Sequence, residues 1–187
     1  MSPINSICNY CRGCGCDLRV YDHSNYGGRS LLVKQQNAKF ENDYFNNRIE
    51  SAKVHGNCKW LLYQGDNFNG GQTHLLNPGN YPSSIGWGGN GNLISSVRAL
   101  PPQGTDAIVL FQHSNFQGRM LVLYETTRYF PNLEFNDQLS SFIITGGRWT
   151  LYQHGDYLGT SATYGPGDYP TLPSDVRDNH ISSVRKQ

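Results

Sequence analysis

Hydrophobic and polar positions alternate over short runs of this chain, and the runs end at Gly, Asn, Asp or Pro. Residues 18–21, Leu-Arg-Val-Tyr, are one such run. Alternation with a period of two predicts β-strands. No segment keeps a helical apolar period for more than two turns. The pattern therefore predicts an all-β protein made of many short strands, which is typical of a β-sandwich.

The strand pattern occurs four times, with a period of about forty residues. Each copy contains an aromatic-x4-aromatic-x-Gly hairpin, at residues 21–28, 63–70, 111–118 and 152–159. Each hairpin is followed by a polar loop that ends in Ser-Ser or Glu-Ser, at residues 46–51, 91–96, 136–141 and 178–183. The second and fourth copies also share a preceding Trp and a later Pro-Gly-x-Tyr-Pro segment. This odd-even order indicates the duplication of a two-motif domain.

The repeated residues of each copy have structural roles. The two aromatic rings can stack when the hairpin folds back over the sheet. The glycine suits a backbone position with positive φ, where a Cβ would be strained. The last serine can bond the backbone of the folded hairpin. We expect a cysteine-rich tail at 1–17, a first domain at 18–100, a linker at 101–106 and a second domain at 107–187.

These paired motifs resemble the βγ-crystallin superfamily, in its two-domain type with four Greek-key motifs that bind calcium. The resemblance covers the chain from Leu18 to Arg185. It implies an all-β protein of two γ-crystallin-like β-sandwich domains. Each domain would hold two Greek-key motifs in paired sheets of four strands.

The polar loops of the second domain supply carboxylate, amide, hydroxyl and carbonyl oxygens, the ligands that Ca2+ prefers. The resemblance implies that each calcium site mixes both loops of a domain, with a serine coming from the partner loop. It also requires a carbonyl from a neighbouring loop that the sequence does not locate. The implied ligands of the second domain are Asp137, the Gln138 carbonyl and Ser182 for one site, and Asn179, the His180 carbonyl and Ser140 for the other.

The loops of the first domain depart from the pattern in two places. Glu50 stands where the motif has Ser or Thr, and Gly91 stands where it has Asn or Asp. The implied ligands of the first domain are Asn47, the Arg48 carbonyl and Ser95 for one site, and Asn92 with the Leu93 carbonyl for the other. Two interpretations of Glu50 stay open: it brings a carboxylate to the site built on Asn92, or its side chain is too long and extends into solvent. Because Arg48 also adds positive charge, we expect weaker calcium binding here than in the second domain.

Five cysteines lie outside the repeated motifs. Four of them fall within nine positions, and the fifth, Cys58, lies just before Trp60; the four are Cys8, Cys11, Cys14 and Cys16. Three interpretations stay open: a thiolate metal cluster, disulfides with Cys58 or with another chain, or a flexible thiol-rich tail.

The charge, the first residues and the histidines of the chain limit which partners, location and activity we expect. The formal net charge is +1 and there is no run of Lys or Arg, so we expect neither nucleic acid nor membrane as a partner. The chain starts without a basic and apolar leader pattern, which predicts a cytoplasmic location. None of the six histidines is paired with a Ser or Cys nucleophile in a recognised catalytic motif. We therefore expect no enzyme activity.

The functional prediction is a calcium-stabilised structural protein or calcium buffer. Its partners would be calcium ions, and it would be a monomer or a domain-paired homodimer. The alternative prediction is an interaction module recruited through its cysteine-rich tail by metal or disulfide, with calcium only structural.

Overall fold

The computed structural model describes residues 15–89, 91–130, 135, 137–175 and 180–187. The chain forms two compact units, the first ending at Gln103 and the second spanning Gly104–Gln187. Within the described ranges the secondary structure consists of β-strands and short 3-10 turns, without an α-helix. No helix in those ranges is long and apolar enough to cross a membrane.

The first unit contains two four-stranded antiparallel sheets. Its strands are β1 (Asp17–Tyr21), β2 (Ser30–Val33), β3 (Gln36–Asn37), β4 (Ser51–His55), β5 (Trp60–Tyr63), β6 (Thr73–Leu76), β7 (Gly79–Tyr81) and β8 (Ser96–Ala99). The sheet orders are β2-β1-β4-β7 and β3-β8-β5-β6. Strand β3 of the first motif therefore belongs to the second sheet, and strand β7 of the second motif belongs to the first sheet. This exchange of strands makes the two Greek keys interleave.

The second unit repeats this arrangement with one sheet shortened. Its strands are β9 (Ile108–His113), β10 (Gln117–Leu123), β11 (Ser141–Ile144), β12 (Trp149–Tyr152), β13 (Ser161–Tyr164), β14 (Gly167–Tyr169) and β15 (Ser183–Lys186). The sheet orders are β10-β9-β11-β14 and β13-β12-β15. The expected fourth strand of the latter is reduced to a single bridge between Thr127 and Val184. Beside it, the Thr126 hydroxyl accepts a hydrogen bond from the backbone N–H of Lys186 at 3.1 Å. A side-chain oxygen thus takes the place of one backbone carbonyl in the sheet.

Short 3-10 turns fill the hairpin tips and the loops between strands. The turns are Ser24–Tyr26, Phe40–Asp43, Asp66–Phe68, Ser84–Trp87, Gly91–Leu93, Ser114–Phe116 and Gly155–Tyr157. The four hairpin turns each carry one Asn or Asp in the left-handed region. That conformation suits Asn and Asp better than most residues with a Cβ.

A separate apolar core fills each unit. Leu18 and Val20 of β1 are buried, while Arg19 between them is only partly so, as the alternating pattern predicts. The tryptophans that mark the even motifs, Trp60 and Trp149, are both fully buried at the centre of their cores. The prediction of two β-sandwich domains with Greek-key motifs is confirmed.

All four hairpins fold back over their sheets as expected. The two aromatic rings of each hairpin lie with centroids 5.5–5.8 Å apart and steeply inclined to each other. The hairpin glycines Gly28, Gly70, Gly118 and Gly159 have φ of 71°, 69°, 76° and 81°. The predicted ring contacts and positive φ values are both confirmed.

A buried serine holds each hairpin down through two hydrogen bonds. The four serines are Ser51, Ser96, Ser141 and Ser183. Each hydroxyl donates to a hairpin carbonyl at 2.5–2.7 Å. Each also accepts the N–H of the second hairpin aromatic at 2.9–3.2 Å. Because these aromatics have φ near 62°, an unfavourable region for such residues, the serine compensates for local strain.

A disulfide joins Cys16 and Cys58, with their Cα atoms 5.6 Å apart. Cys16 directly precedes β1 and Cys58 lies two residues before β5, so the bond links the two sheets of the first unit. Of the three interpretations of the cysteines, the disulfide applies to this pair, and Cys16 is not free to ligate a metal cluster. Cys8, Cys11 and Cys14 lie outside the described residues.

Candidate functional site

In the first unit, backbone hydrogen bonds hold the two polar loops against each other. The N–H of Asn47 donates to the Ile94 carbonyl at 3.1 Å, and the N–H of Phe40 donates to the Ser95 carbonyl at 3.0 Å. Because these bonds run between the motifs, residues far apart in sequence meet at one end of the unit. The Ser95 hydroxyl donates to the side-chain oxygen of Asn47 at 3.4 Å.

The second unit shows the same contact between its loops. The Ser182 hydroxyl donates to the Asp137 carboxylate at 3.3 Å, although 45 residues separate the two along the chain. The Phe130 N–H donates to the Ser182 carbonyl at 2.7 Å. Ser182 is buried and Asp137 is exposed, so the carboxylate oxygen sits at the surface with a fixed hydroxyl behind it.

Asn47 and Asp137 share an unusual backbone conformation. Their φ values are 54° and 52°, in the left-handed region that Asn and Asp tolerate through local hydrogen bonding. In each unit an amide or carboxylate oxygen thus meets a hydroxyl from the other loop. Such oxygens are hard ligands that fit a calcium ion with irregular coordination geometry. The residues present therefore fit calcium at these two places.

The other implied sites are only partly described. In the second unit, Asn179 lies outside the described residues. Ser140 is buried and its N–H donates to the Phe111 carbonyl at 3.0 Å, while His180 is exposed and Gln138 is half-buried. The structure thus leaves the Asn179, His180 and Ser140 set as a prediction.

The second implied set of the first unit differs from the first. Asn92 lies in the 3-10 turn Gly91–Leu93, without the positive φ that Asn47 has. Asn92 and Leu93 are exposed, and Glu50 is half-buried. Within the described chain no hydrogen bond joins Glu50 to Asn92. The geometry that brings Asn47 to Ser95 is not repeated here, and Arg48 is an exposed residue beside the better-formed pair.

A groove beside Asn47 and Ser95 was not predicted. Its volume is about 380 Å³, and Asn47, Leu93 and Ser95 line one side of it. The hairpin of the second motif lines the other side, through Gln64, Gly65, Gly70 and Gly71. This hairpin is therefore a neighbouring segment of the Asn47 and Ser95 pair. The sequence signal was present, since position 65 is Gly where the other three copies have His.

The described residues offer little other chemistry near these loops. No three His, Cys, Asp or Glu side chains among them gather into a metal-binding group, so a calcium site here would combine at most a single carboxylate with amide, hydroxyl and carbonyl oxygens. Tyr63, whose carbonyl accepts the Ser95 N–H at 2.9 Å, is a buried packing residue. Burial raises the pKa of Tyr63 to about 12, with Arg98 partly opposing, so its phenol stays protonated at neutral pH.

Comparison with known proteins agrees with this architecture. The family model described as Beta/Gamma crystallin matches residues 17–100 and 107–186. Gamma-crystallin F of Bos taurus is 28% identical over 152 residues, which are 81% of this chain and 85% of the relative. Gamma-crystallin D of Rattus norvegicus is 30% identical over 156 residues, with the same two shares.

A solved structure shows the same fold across both units. Geodin, a beta-gamma crystallin from Geodia cydonium, aligns with a TM-score of 0.69 and 20% sequence identity. The alignment covers 92% of this chain and 99% of geodin. At this identity the likeness shows the fold alone, so any ligand must be argued from the residues of this chain.

Proposed function

Because the chain belongs to the βγ-crystallin family, we propose that it is a non-enzymatic structural protein that binds calcium and is stabilised by it. The observation that carries the proposal is the contact between the Ser182 hydroxyl and the Asp137 carboxylate at 3.3 Å. This contact brings two oxygens from separate loops together near the surface of the second unit. Ca2+ would be held there by Asp137, the Gln138 carbonyl and Ser182, with water completing the coordination.

The charge of the ligands sets the expected affinity. Asp137 is the one carboxylate in this set, so the dissociation constant should fall on the order of micromolar to submillimolar. The matching pair in the first unit replaces the carboxylate with the neutral amide of Asn47. We therefore expect binding at Asn47 to be weaker than at Asp137, and both affinities suit a calcium buffer.

The positions of the histidines support a role without catalysis. His23, His113 and His154 occupy the same exposed position in three hairpins. The backbone carbonyl of each accepts a hydrogen bond from the hydroxyl of the buried serine that holds its hairpin. His74 lies in β6 of the second motif and is buried. A group repeated at the same place in three of four copies is expected to serve the fold, and the three hairpin histidines fit that role.

Calcium should stabilise the folded state by mass action. At a free calcium concentration one hundred times the dissociation constant, one site adds about 2.7 kcal/mol if the unfolded chain does not bind. The loops are joined by hydrogen bonds of their own, so binding should need no large rearrangement. Tm should therefore rise with calcium, while the far-ultraviolet spectrum hardly changes.

Isothermal titration of the full chain tests the proposal through two substitutions. Ser182→Ala should weaken the site built on Asp137, while Ser140→Ala should weaken the site built on Asn179. Ser174→Ala removes an exposed serine of the same unit outside both loops and serves as the matched control. The proposal fails if the wild type shows no calcium-dependent heat. The reciprocal assignment of serines fails if each substitution affects only the site of its own loop.

A second candidate function is an interaction module recruited through the N-terminal cysteines, with calcium only structural. The Cys16–Cys58 disulfide favours it, because the bond anchors the end of the cysteine-rich segment to the first unit. Replacing the three remaining N-terminal cysteines with Ala should abolish metal- or oxidant-dependent association on size-exclusion chromatography. Unchanged elution of the wild type under both treatments would contradict this candidate.

A further inference from the structure

Two positively charged side chains lie directly opposite each other on the outer face of the sheet β2-β1-β4-β7. Arg19 of β1 is in register with Lys53 of the neighbouring strand β4. Both alternate with buried residues of the core, so both point away from it. Side chains directly opposite on antiparallel strands have Cβ atoms roughly 4.5–5.5 Å apart, and like charges placed in this way destabilise the sheet. The presence of this pair therefore needs an explanation other than stability.

The other three motifs do not place two cations at the equivalent register. Their equivalent pairs are Leu61 with Arg98, Val109 with Ile143, and Thr150 with Arg185. Two of these pairs keep one cation, and one pair is entirely apolar. The double positive charge is thus a feature of the first motif alone, and the shared fold does not account for it.

No acidic side chain of the described residues neutralises the pair. Among those residues, neither Arg19 nor Lys53 forms an ion pair with Asp or Glu. Asp17 lies on the same face, but its register partner is His55. The sequence of residues 1–14 contains no Asp or Glu. The pair is therefore a positive patch that an anion from outside the chain can neutralise.

Contacts with uncharged neighbours hold both cations in place. The Arg19 Nη1 donates to the Ser30 hydroxyl at 3.3 Å. The Lys53 ammonium lies 4.2 Å from the ring centroid of Tyr26 and 5.9 Å from that of Tyr21. Both cations are half-buried, so salt screens their charges less than it screens fully exposed ones. An incoming anion would thus meet two donors that are already positioned.

The charge of the pair indicates which class of anion fits it. Arginine binds phosphate through a fork of N–H donors, and lysine binds it as a point charge. A phosphate monoester carries a charge of about −1.5 to −2 at neutral pH, which matches two cations. A carboxylate, a sulfate ester or a phosphodiester carries only a single charge. Asn80, exposed and in register with Lys53, offers an amide that can donate a further hydrogen bond.

We propose that the outer face of this sheet binds a phosphate dianion, free or as a monoester of a small molecule, between Arg19 and Lys53. The guanidinium would bind two phosphate oxygens, and the ammonium would bind a third. Bound phosphate would also cancel the repulsion between the two cations. The inference is independent of the proposed calcium binding, because none of these residues belongs to an implied calcium site.

Nuclear magnetic resonance titration of the full chain tests this inference, with inorganic phosphate and glycerol 3-phosphate as probes. A chelator removes calcium, the ionic strength is held constant, and a pH of about 8 keeps the phosphate dianionic. The amide signals of Arg19 and Lys53 should shift to saturation, while acetate and methyl sulfate should bind more weakly. Binding of both probes supports a site for any phosphate dianion, and binding of glycerol 3-phosphate alone supports a site for monoesters. The absence of a saturable shift with either probe overturns the inference.

Substitutions test whether the two cations form the site. Arg19→Gln and Lys53→Gln should each weaken the binding of phosphate by about fivefold or more, because each removes one of two charge-assisted contacts. Lys53→Arg keeps the charge and should retain binding, which controls for loss of the packing on Tyr26. Asp17→Asn should strengthen binding, because it removes a negative charge from the same face.

Arg185→Gln provides the matched control. Arg185 also lies over a hairpin ring, 5.9 Å from the centroid of Tyr157, but its register partner is the uncharged Thr150. The substitution should leave the affinity for phosphate unchanged. Phosphate should also raise the Tm of the wild type, and Arg19→Gln should abolish that rise. Full binding by both glutamine variants, or equal weakening by Arg185→Gln, would overturn the inference.

Discussion

The disulfide between Cys16 and Cys58 gives a sharp test of how the first unit is held together. We would replace both cysteines with Ala, so that no unpaired thiol remains at this position. The bond closes a loop with a sequence separation of 42. Loop-closure entropy for that length corresponds to about 4 kcal/mol of stabilisation at 25 °C. This value is an upper estimate, because a compact unfolded chain gains less freedom when the bond is removed.

The free energy translates into a measurable change in melting temperature. For the first domain, residues 17–100, an unfolding entropy of about 2.1 cal/mol/K per residue gives a fall in Tm of roughly 20 °C. Differential scanning calorimetry of the full chain would measure it. Residues 107–186 carry no substitution and provide an internal reference. The other three N-terminal cysteines should be Ala in both proteins, so that no disulfide exchange occurs.

Reductant supplies the second arm of the experiment. The parent protein should melt like the double variant once it is fully reduced, and the variant should not respond to reductant. A double variant that melts within a few degrees of the oxidised parent would refute the reasoning. The bond also bears on location, because disulfides persist mainly in oxidising compartments. Alkylation of free thiols in intact cells, followed by mass spectrometry, would test the cytoplasmic expectation, under which Cys58 should be reduced.

Three further predictions concern the packing of single residues. Ser141→Ala should lower the free energy of unfolding, measured by urea denaturation, by roughly 2–4 kcal/mol, because two backbone groups lose their hydrogen-bond partner. The control Ser114→Ala removes an exposed serine and should change that free energy little. Gly118→Ala should lower the free energy of unfolding by about 1–2 kcal/mol in the same assay, because φ is 76° and the new Cβ would press on the neighbouring imidazole. An unchanged free energy of unfolding would show that this position is not strained. Burial lowers the pKa of His74 below 6.5, and a backbone hydrogen bond with Trp87 partly opposes this shift. The folded protein therefore takes up a proton at His74 less readily than the unfolded chain. The free energy of unfolding that depends on neutral His74 should be present above pH 6.5 and lost as the pH falls. His74→Leu should flatten that decline in Tm, and an unchanged decline would show that other groups cause it.

The hairpins were predictable because their chemistry is local. An aromatic pair, a glycine and a later serine recur in each copy, so the pattern itself indicated their contacts. The sequence did not predict that Phe116 and its equivalents have positive φ, at 61–63°. Aromatic residues rarely adopt that conformation alone. It depends on the hydroxyl of a serine that lies 25 to 28 residues further along the chain.

The strands that cross between sheets were beyond a pattern-based prediction. Strand β3 has two residues and its counterpart is a single bridge at Thr127, too short to show any alternation. Their pairing depends on where the rest of the chain has already placed β8 and β15. The resemblance implied two Greek keys per domain in paired sheets of four strands, but only the structure showed which strands exchange and which sheet has three strands.

The candidate site was predictable only in part. The pairing of Asp137 with Ser182 followed from the resemblance, and the structure brings these side chains together. The groove beside Gly65 was missed because it depends on how the folded hairpin lies next to the polar loops, which the sequence pattern does not show. Aligning the four hairpins by their second aromatic would have shown His, Gly, His and His at this position.

The exchange of strands between the two sheets also orders events during synthesis. Gln36 of β3 cannot find its ladder partner until Arg98 of β8 has been made, near the end of the domain. Likewise, the sheet that contains β4 is incomplete until its neighbour β7 has been made. A nascent chain that has produced only the first motif therefore exposes an unpaired sheet edge to the ribosome exit and to chaperones. The domain should appear on the ribosome in one late step, and a half-domain fragment should be degraded rather than fold.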